Sequence, residues 1–258
     1  MSRFTILMYH MISSPKTAEE ARYACPPAQF EQHLRYLKSS HHTPVSLDQI
    51  EAHLLSGSDL PDNAVAITLD DGFEDNYTNA YPLLKKHDIP ATIFLTSGLM
   101  GGTNQWMCER GFPERKMLGW QQIEEMDRGK IDFGAHTVSH PKLSELGIDA
   151  CTKEILQSKQ TIEEQLSQPC HHFAYPYGLF TEATARVVEH TGFKLACSTR
   201  SGFNNSERDP YLLHRIEVYG TDPVWKLKQK MTFGINDASR LFPLRYYSNR
   251  ILQKGGLR

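Results

Sequence analysis

The stretch Ala66-Ile67-Thr68-Leu69-Asp70-Asp71-Gly72-Phe73 decides the fold. An apolar, β-branched run over residues 65–69 stops at two adjacent carboxylates and a glycine. Such a run reads as a strand buried on both faces, as in parallel α/β sheets. In those sheets chemistry is placed at the carboxyl ends of the strands. Neighbouring aspartates repel, so the pair needs a cation, a proton or solvent between them. A metal ion is the cation to look for, with histidines as further ligands. His136-Thr137-Val138-Ser139-His140-Pro141 supplies two of them, and it too follows a strand-like run, residues 131–135. Histidines four apart can share one face of a helical turn. One carboxylate plus two imidazoles makes three protein ligands and leaves a zinc-like ion an open position for water. Taken singly, Asp-Asp-Gly is a common turn and His-x-x-x-His a common surface pair. Their shared place at strand ends favours the metal.

Working outward, seven strands are predicted at residues 5–9, 65–69, 91–95, 131–135, 173–175, 194–198 and 214–219. Helical patterns alternate with them. Phe30, Leu34 and Leu37 form one stripe after Pro26-Pro27, Ser46 and Gln49 make a capping box, and Thr181 caps a helix that stops at Gly192. Further helices are expected over 76–87, 120–126, 149–166 and 223–231. Residues 97–115 are glycine-rich and without a period, which predicts a long loop over the strand ends. Within it Trp106, Met107 and Phe112 either form a platform for a sugar face or pack on one another. Strand-helix alternation argues a parallel α/β sheet, closed or open.

The chain has 258 residues, of which 40% are hydrophobic and 22% charged, enough for one sizeable core. A formal charge of −2 gives no electrostatic footprint for nucleic acid. Five cysteines without a C-x-x-C pair argue against a disulfide framework and for a reducing compartment. No signal-peptide pattern precedes the first strand, and no run is long and apolar enough to span a membrane. The expectation is a cytoplasmic location. One domain is expected over residues 1–238, followed by a basic, aromatic tail over 239–258. Arg240, Arg245, Arg250, Lys254 and Arg258 of the tail lack acidic neighbours, and the tail either packs or makes a peripheral membrane contact.

The motifs resemble a family. Thr68-Leu69-Asp70-Asp71-Gly72 is similar to the T-F-D-D-G motif of the polysaccharide deacetylases (carbohydrate esterase family 4, the NodB-homology domain). His136 to Pro141 matches H-[ST]-x-x-H-P, and Tyr175-Pro176-Tyr177-Gly178 resembles the end of R-x-P-Y-G. Order and spacing agree across roughly residues 4–220. The resemblance implies a distorted (β/α)7 TIM-like barrel and a hydrolase that removes N-acetyl groups from an amino-sugar glycan. It implies Asp71, His136 and His140 as ligands of a divalent metal, zinc above cobalt- or nickel-like ions, and Asp70 as general base. The Tyr177 backbone N–H would be the oxyanion donor, in a turn fixed by Pro176. His10, in the Tyr9-His10 pair, would sit near the metal rim or simply close its strand. His214, in Leu212-Leu213-His214, is the candidate acid for the leaving amine, or a strand-start histidine. One departure is informative: Ala174 stands where the family carries an arginine that orients the base, so another group must do so. Deacetylases of poly-N-acetylglucosamine-type exopolymers resemble this Phe-Ala-Tyr-Pro-Tyr-Gly form. Hydrolysis of an O-acetyl ester, a formamide on a lipid-linked sugar, and a catalytically silent glycan-binding barrel are the alternatives.

Overall fold

Strand β1 (Thr5–Tyr9) is buried at every position, which its run of large apolar residues requires. The computed structural model, which describes residues 3–127, 130–243 and 246, pairs it in parallel with β3 (Ala64–Leu69). The register sets Thr5 opposite Val65 and Tyr9 opposite Leu69. A parallel pair needs a long crossover. Here it contains α1 (Pro27–Ser39), the short β2 (Thr43–Pro44) and α2 (Leu47–Ser56). The chain continues through α3 (Tyr81–His87), β4 (Ala91–Leu95), α4 (Gln105–Cys108), α5 (Trp120–Asp127), β5 (Ile131–Ala135), α6 (Ile148–Leu166), β6 (His172–Ala174), α7 (Glu182–His190), β7 (Leu195–Cys197), β8 (Ile216–Glu217) and α8 (Val224–Phe233).

The sheet order is β7-β6-β5-β4-β3-β1-β8, with β2 pairing β3 from beside the path, and every named pair is parallel. The two ends of that order are joined by the segment before β8. Leu213 bridges Cys197 in parallel, and the Ser198 N–H donates to the Leu213 carbonyl at 2.9 Å. The result is the expected α/β architecture, among the described residues a distorted barrel of seven strands with one additional short strand at Thr43–Pro44. The seventh strand is shorter than expected. Regular pairing covers Ile216 and Glu217 only, because the 210–215 segment bonds irregularly to β7 on its way in.

Side chains alternate between two apolar layers, as period-2 strands must. Ile6, Ala64, Ala66, Phe94, Ala174, Leu195 and Cys197 pack together inside the barrel. Leu7, Tyr9, Val65, Ile67, Leu69, Ile93 and Phe173 face the helices. The parity of β3 therefore sends Ala64, Ala66, Thr68 and then Asp70 inward.

Local chemistry ends the helices where the sequence reading placed them. Ser46 and Gln49 close a reciprocal capping box on α2, and Gly57 ends it in a left-handed conformation. Thr181 accepts from the Thr184 N–H to cap α7. Two readings change. The helix expected over 76–87 begins as a π-helical turn, Asn76–Ala80, before α3. The supposed loop over 97–115 contains a 3₁₀ turn, Ser97–Leu99, and the short α4. All five cysteines are free thiols. Among the described residues no helix is long and apolar enough to cross a membrane. Most of the 239–258 tail lies outside the described residues. Of its described part, Phe242 and Tyr246 pack on Phe233 of α8.

Candidate active site

Asp70 and Asp71 leave β3 in opposite senses. The Asp70 N–H still bonds the Tyr9 carbonyl in the sheet, at 2.9 Å. Asp71 then turns left-handed, with φ 77°, and Gly72 follows at φ 82°. Aspartate is one of the few residues besides glycine that visit that region. At Gly72 a Cβ would in addition crowd Leu95 Cδ2 at 3.0 Å. The reversal sends the two neighbouring carboxylates to different partners.

The second motif is not a helical turn. Thr137 and His140 are left-handed, at φ 68° and 61°, so the segment is an irregular loop. This corrects the expectation that four-residue spacing places the imidazoles on one helix face. Glu154 of α6 holds the loop by accepting from the Val138 and Ser139 N–H groups, at 2.9 and 3.0 Å, and from the Ser139 hydroxyl at 2.8 Å. The Thr137 hydroxyl accepts from the His140 N–H at 3.1 Å. Of the eight non-glycine residues with positive φ among the described residues, Asp71, Thr137, His140 and Tyr177 belong to this site. Such strain persists where the surroundings over-determine it, and it clusters at functional sites.

The loops bring three ligand atoms together. His136 Nε2 and His140 Nε2 lie 3.4 and 3.3 Å from Asp71 Oδ1. The three residues are buried, and their ligand atoms fall within 4.8 Å of one another. His136 Nδ1 is 2.7 Å from the Ala174 carbonyl oxygen, which can only accept. That fixes the tautomer and leaves the Nε2 lone pair facing Asp71. Among the described residues no hydrogen bond reaches Asp71 Oδ1 or His140 Nδ1, although both are buried. Burial pushes the His140 imidazole down and keeps it neutral. A buried carboxylate oxygen without a hydrogen bond, faced by the Nε2 atoms of two imidazoles, fits a divalent ion with nitrogen and oxygen ligands.

Asp70 belongs to a separate arrangement. Arg215 grips it with both ends of the guanidinium, Nη1 to Oδ1 at 2.6 Å and Nη2 to Oδ2 at 2.8 Å. Arg215 also donates from Nε to the Ser198 carbonyl at 3.0 Å and from Nη1 to Thr68 Oγ1 at 3.2 Å. Both residues are buried. Burial raises the Asp70 carboxyl, while Arg215 outweighs it, so Asp70 is held ionised. The sequence reading required a substitute for the arginine missing at Ala174 but did not find Arg215. A signal was present: a charge inside the otherwise strand-like 215–218 run must be paired if that run is buried.

Asp70, Asp71, His136, His140, His10 and Tyr177 all line one cavity of about 180 Å³. Tyr177 is left-handed at φ 57° inside the turn Pro176–Gly178, which Pro176 starts. The turn's own bonds run from the Gly178 N–H to Tyr175 and from the Leu179 N–H to Pro176. His214 is not among the cavity-lining residues. Its N–H bonds Asn204 Oδ1 at 2.8 Å, and its ring covers Gly202. Strand alternation explains the miss, since turning Arg215 into the barrel turns its neighbour away. Trp106 and Met107 line the mouth with Tyr23 and Phe73, and Trp106 stacks on His140 at 4.8 Å. Phe112 lies behind them, against Tyr23. Glu217 and Arg22, joined by a two-pronged ion pair, complete the wall.

A family model described as polysaccharide deacetylase matches residues 57–196, more than half of the chain. The Bacillus subtilis protein YxkH is 29% identical over 217 residues, which are 84% of this chain and 72% of that protein. A poly-β-1,6-N-acetyl-D-glucosamine N-deacetylase of Staphylococcus aureus is 28% identical over 218 residues, 81% of this chain and 72% of that enzyme. Among solved structures, the Streptococcus pyogenes deacetylase PplD in complex with acetate superposes with a TM-score of 0.77 at 29% identity. That match covers 89% of this chain and 98% of the other.

Proposed function

The chain belongs to the polysaccharide deacetylase family, and on that premise we propose that it hydrolyses N-acetyl groups of an amino-sugar glycan with a divalent ion, zinc first, held by Asp71, His136 and His140. The observation that carries the proposal is the division of the aspartates: Asp71 meets two imidazoles, and Asp70 is held away from them by Arg215. The N-acetylglucosamine polymer named for the S. aureus relative and the acetate bound by the S. pyogenes one support the substrate class.

The bound ion would polarise the amide carbonyl and bring the pKa of a water near neutrality. Asp70, ionised and oriented, takes the proton of the attacking water. The Tyr177 backbone N–H donates to the oxygen that becomes negative as the carbonyl carbon turns tetrahedral. His10 faces the same cavity and protonates the departing amine, the part once expected of His214. Trp106 and Tyr23 offer apolar faces to the sugar ring. The test is acetate release from N- and O-acetylated amino-sugar glycans, with the chelated protein reloaded with zinc, cobalt or nickel. Metal-dependent release from N-acetylated substrates is expected, and release that is unaffected by chelation would refute the reading.

A further inference from the structure

Three arginines stand around the catalytic cavity, and two are already answered. Arg215 is clamped on Asp70. Arg22 is clamped on Glu217, at 3.0 and 2.6 Å. Arg110 lines the same cavity at its exposed mouth, and among the described residues no carboxylate stands within ion-pair distance of it. Even Glu109, next to it in the chain, makes no ion pair with it. Its guanidinium carbon lies 5.5 Å from the ring centre of Tyr177 and 5.5 Å from that of Phe112. The Tyr177 hydroxyl also accepts from Arg110, but a phenol and two aromatic faces restrain an arginine without neutralising it.

The charge of the cavity points the same way. Its carboxylates are Asp70, Asp71 and Glu217, and its cations are Arg22, Arg110 and the Arg215 behind Asp70. These balance before any ion is counted. A divalent cation beside Asp71 turns the balance positive by two charges. A cleft of that sign concentrates anions, and a guanidinium at its mouth whose charge no carboxylate among the described residues answers matches a phosphate or carboxylate.

Resting on the deacetylase reading, we propose that the substrate is an acidic glycan, in which a phosphate or carboxylate on or beside the N-acylated sugar is bound by Arg110 at the cavity mouth. Arg110 is thus a specificity-determining residue.

The test compares three N-acetylglucosamine oligomers of equal length: neutral, bearing a phosphate, and bearing a lactyl-type carboxylate. kcat/KM is measured for the metal-loaded enzyme and its Arg110→Gln and Arg110→Lys variants. Binding of the same sugars is measured by calorimetry on chelated protein. The wild type should favour at least one acidic oligomer by about tenfold at low salt, and the margin should shrink as salt rises. Whether phosphate or carboxylate is favoured identifies the source of the anion. Arg110→Gln should bring the acidic-to-neutral ratio close to one, and Arg110→Lys should keep part of it. Equal treatment of all three by the wild type, or an equal loss on all three in Arg110→Gln, overturns the proposal. If no oligomer releases acetate but acidic sugars bind in an Arg110-dependent way, the deacetylase reading fails and the anion site stands.

Discussion

Strand β5 carries Asp132 near its amino end and delivers His136 at its carboxyl end, and each joins a cluster of histidines and carboxylates. Spacing does not tell the clusters apart. Asp48, Glu51 and His171, and likewise Asp48, Asp132 and His172, bring their ligand atoms within the same 4.8 Å as Asp71, His136 and His140. Hydrogen bonding does. At the amino end His172 gives both ring nitrogens to carboxylates, Nδ1 to Asp132 at 3.1 Å and Nε2 to Glu51 at 3.0 Å. Both nitrogens donating describes an imidazolium. Burial alone would push it down, but Asp132 and Glu51 hold its pKa up at about 9. At the carboxyl end Asp71 Oδ1 and His140 Nδ1 are buried and unanswered. The amino-end cluster is satisfied and ties α2 to the barrel floor. The carboxyl-end cluster is unsatisfied, and that is what a site built for a ligand looks like before the ligand is counted.

Substitution at matched positions should expose this difference most strongly. His136→Ala should abolish stoichiometric binding of zinc by the folded protein and lower turnover by on the order of 10³-fold or more, since several kcal/mol of transition-state stabilisation go with the ion. His172→Gln should leave turnover per folded molecule and metal content as they were. Full metal occupancy in His136→Ala, or loss of the catalytic ion in His172→Gln, would erase the distinction.

A smaller effect is expected inside the carboxyl-end site. Arg215→Gln strands a buried Asp70, which costs about 3–5 kcal/mol of stability, and it loosens the base, with a loss of about 10–10²-fold in kcat. The Asp70 carboxyl should then titrate higher, moving the acid limb of the pH–rate profile upward. Adding Asp70→Asn to Arg215→Gln should recover much of the stability, because no unpaired charge remains. An unmoved acid limb in Arg215→Gln would mean that Arg215 does not govern the base.

The smallest effect is the amino-end contribution to stability against pH. The folded pKa of His172, about 9, is raised above its ordinary 6.5. Its stabilisation is therefore complete below about pH 6.5 and is lost as pH rises through 9. The upper bound is about 3 kcal/mol. Denaturant melts of the wild type between pH 6 and 10 should show this decline, and His172→Gln should flatten it. The same slope in both proteins would assign it elsewhere.

The clusters also differ in how far the sequence disclosed them. Asp70, Asp71, His136 and His140 each follow an apolar run long enough to read as a buried strand, so their arrival at one end of the barrel was legible. The conformation of the histidine loop was not, because left-handed Thr137 and His140 depend on a carboxylate, Glu154, from the next helix. Arg215 was hidden by distance, 145 residues from its partner, and by the more familiar histidine beside it. The amino-end network escaped notice altogether, since Glu51, Asp132 and His172 come from three separate elements and share no motif. The short β2 carries too few residues to show a period.

The central claim is that two adjacent aspartates hold different offices, and Asp70→Asn beside Asp71→Asn tests it most directly. Each substitution keeps the shape and removes the charge. Metal content and acetate release are measured on the same purified samples. Asp70→Asn should retain one equivalent of metal and lose on the order of 10²–10⁴-fold in rate, while Asp71→Asn should lose the metal along with the activity. Loss of metal in Asp70→Asn with retention in Asp71→Asn, or near-normal turnover in Asp70→Asn, would contradict the account.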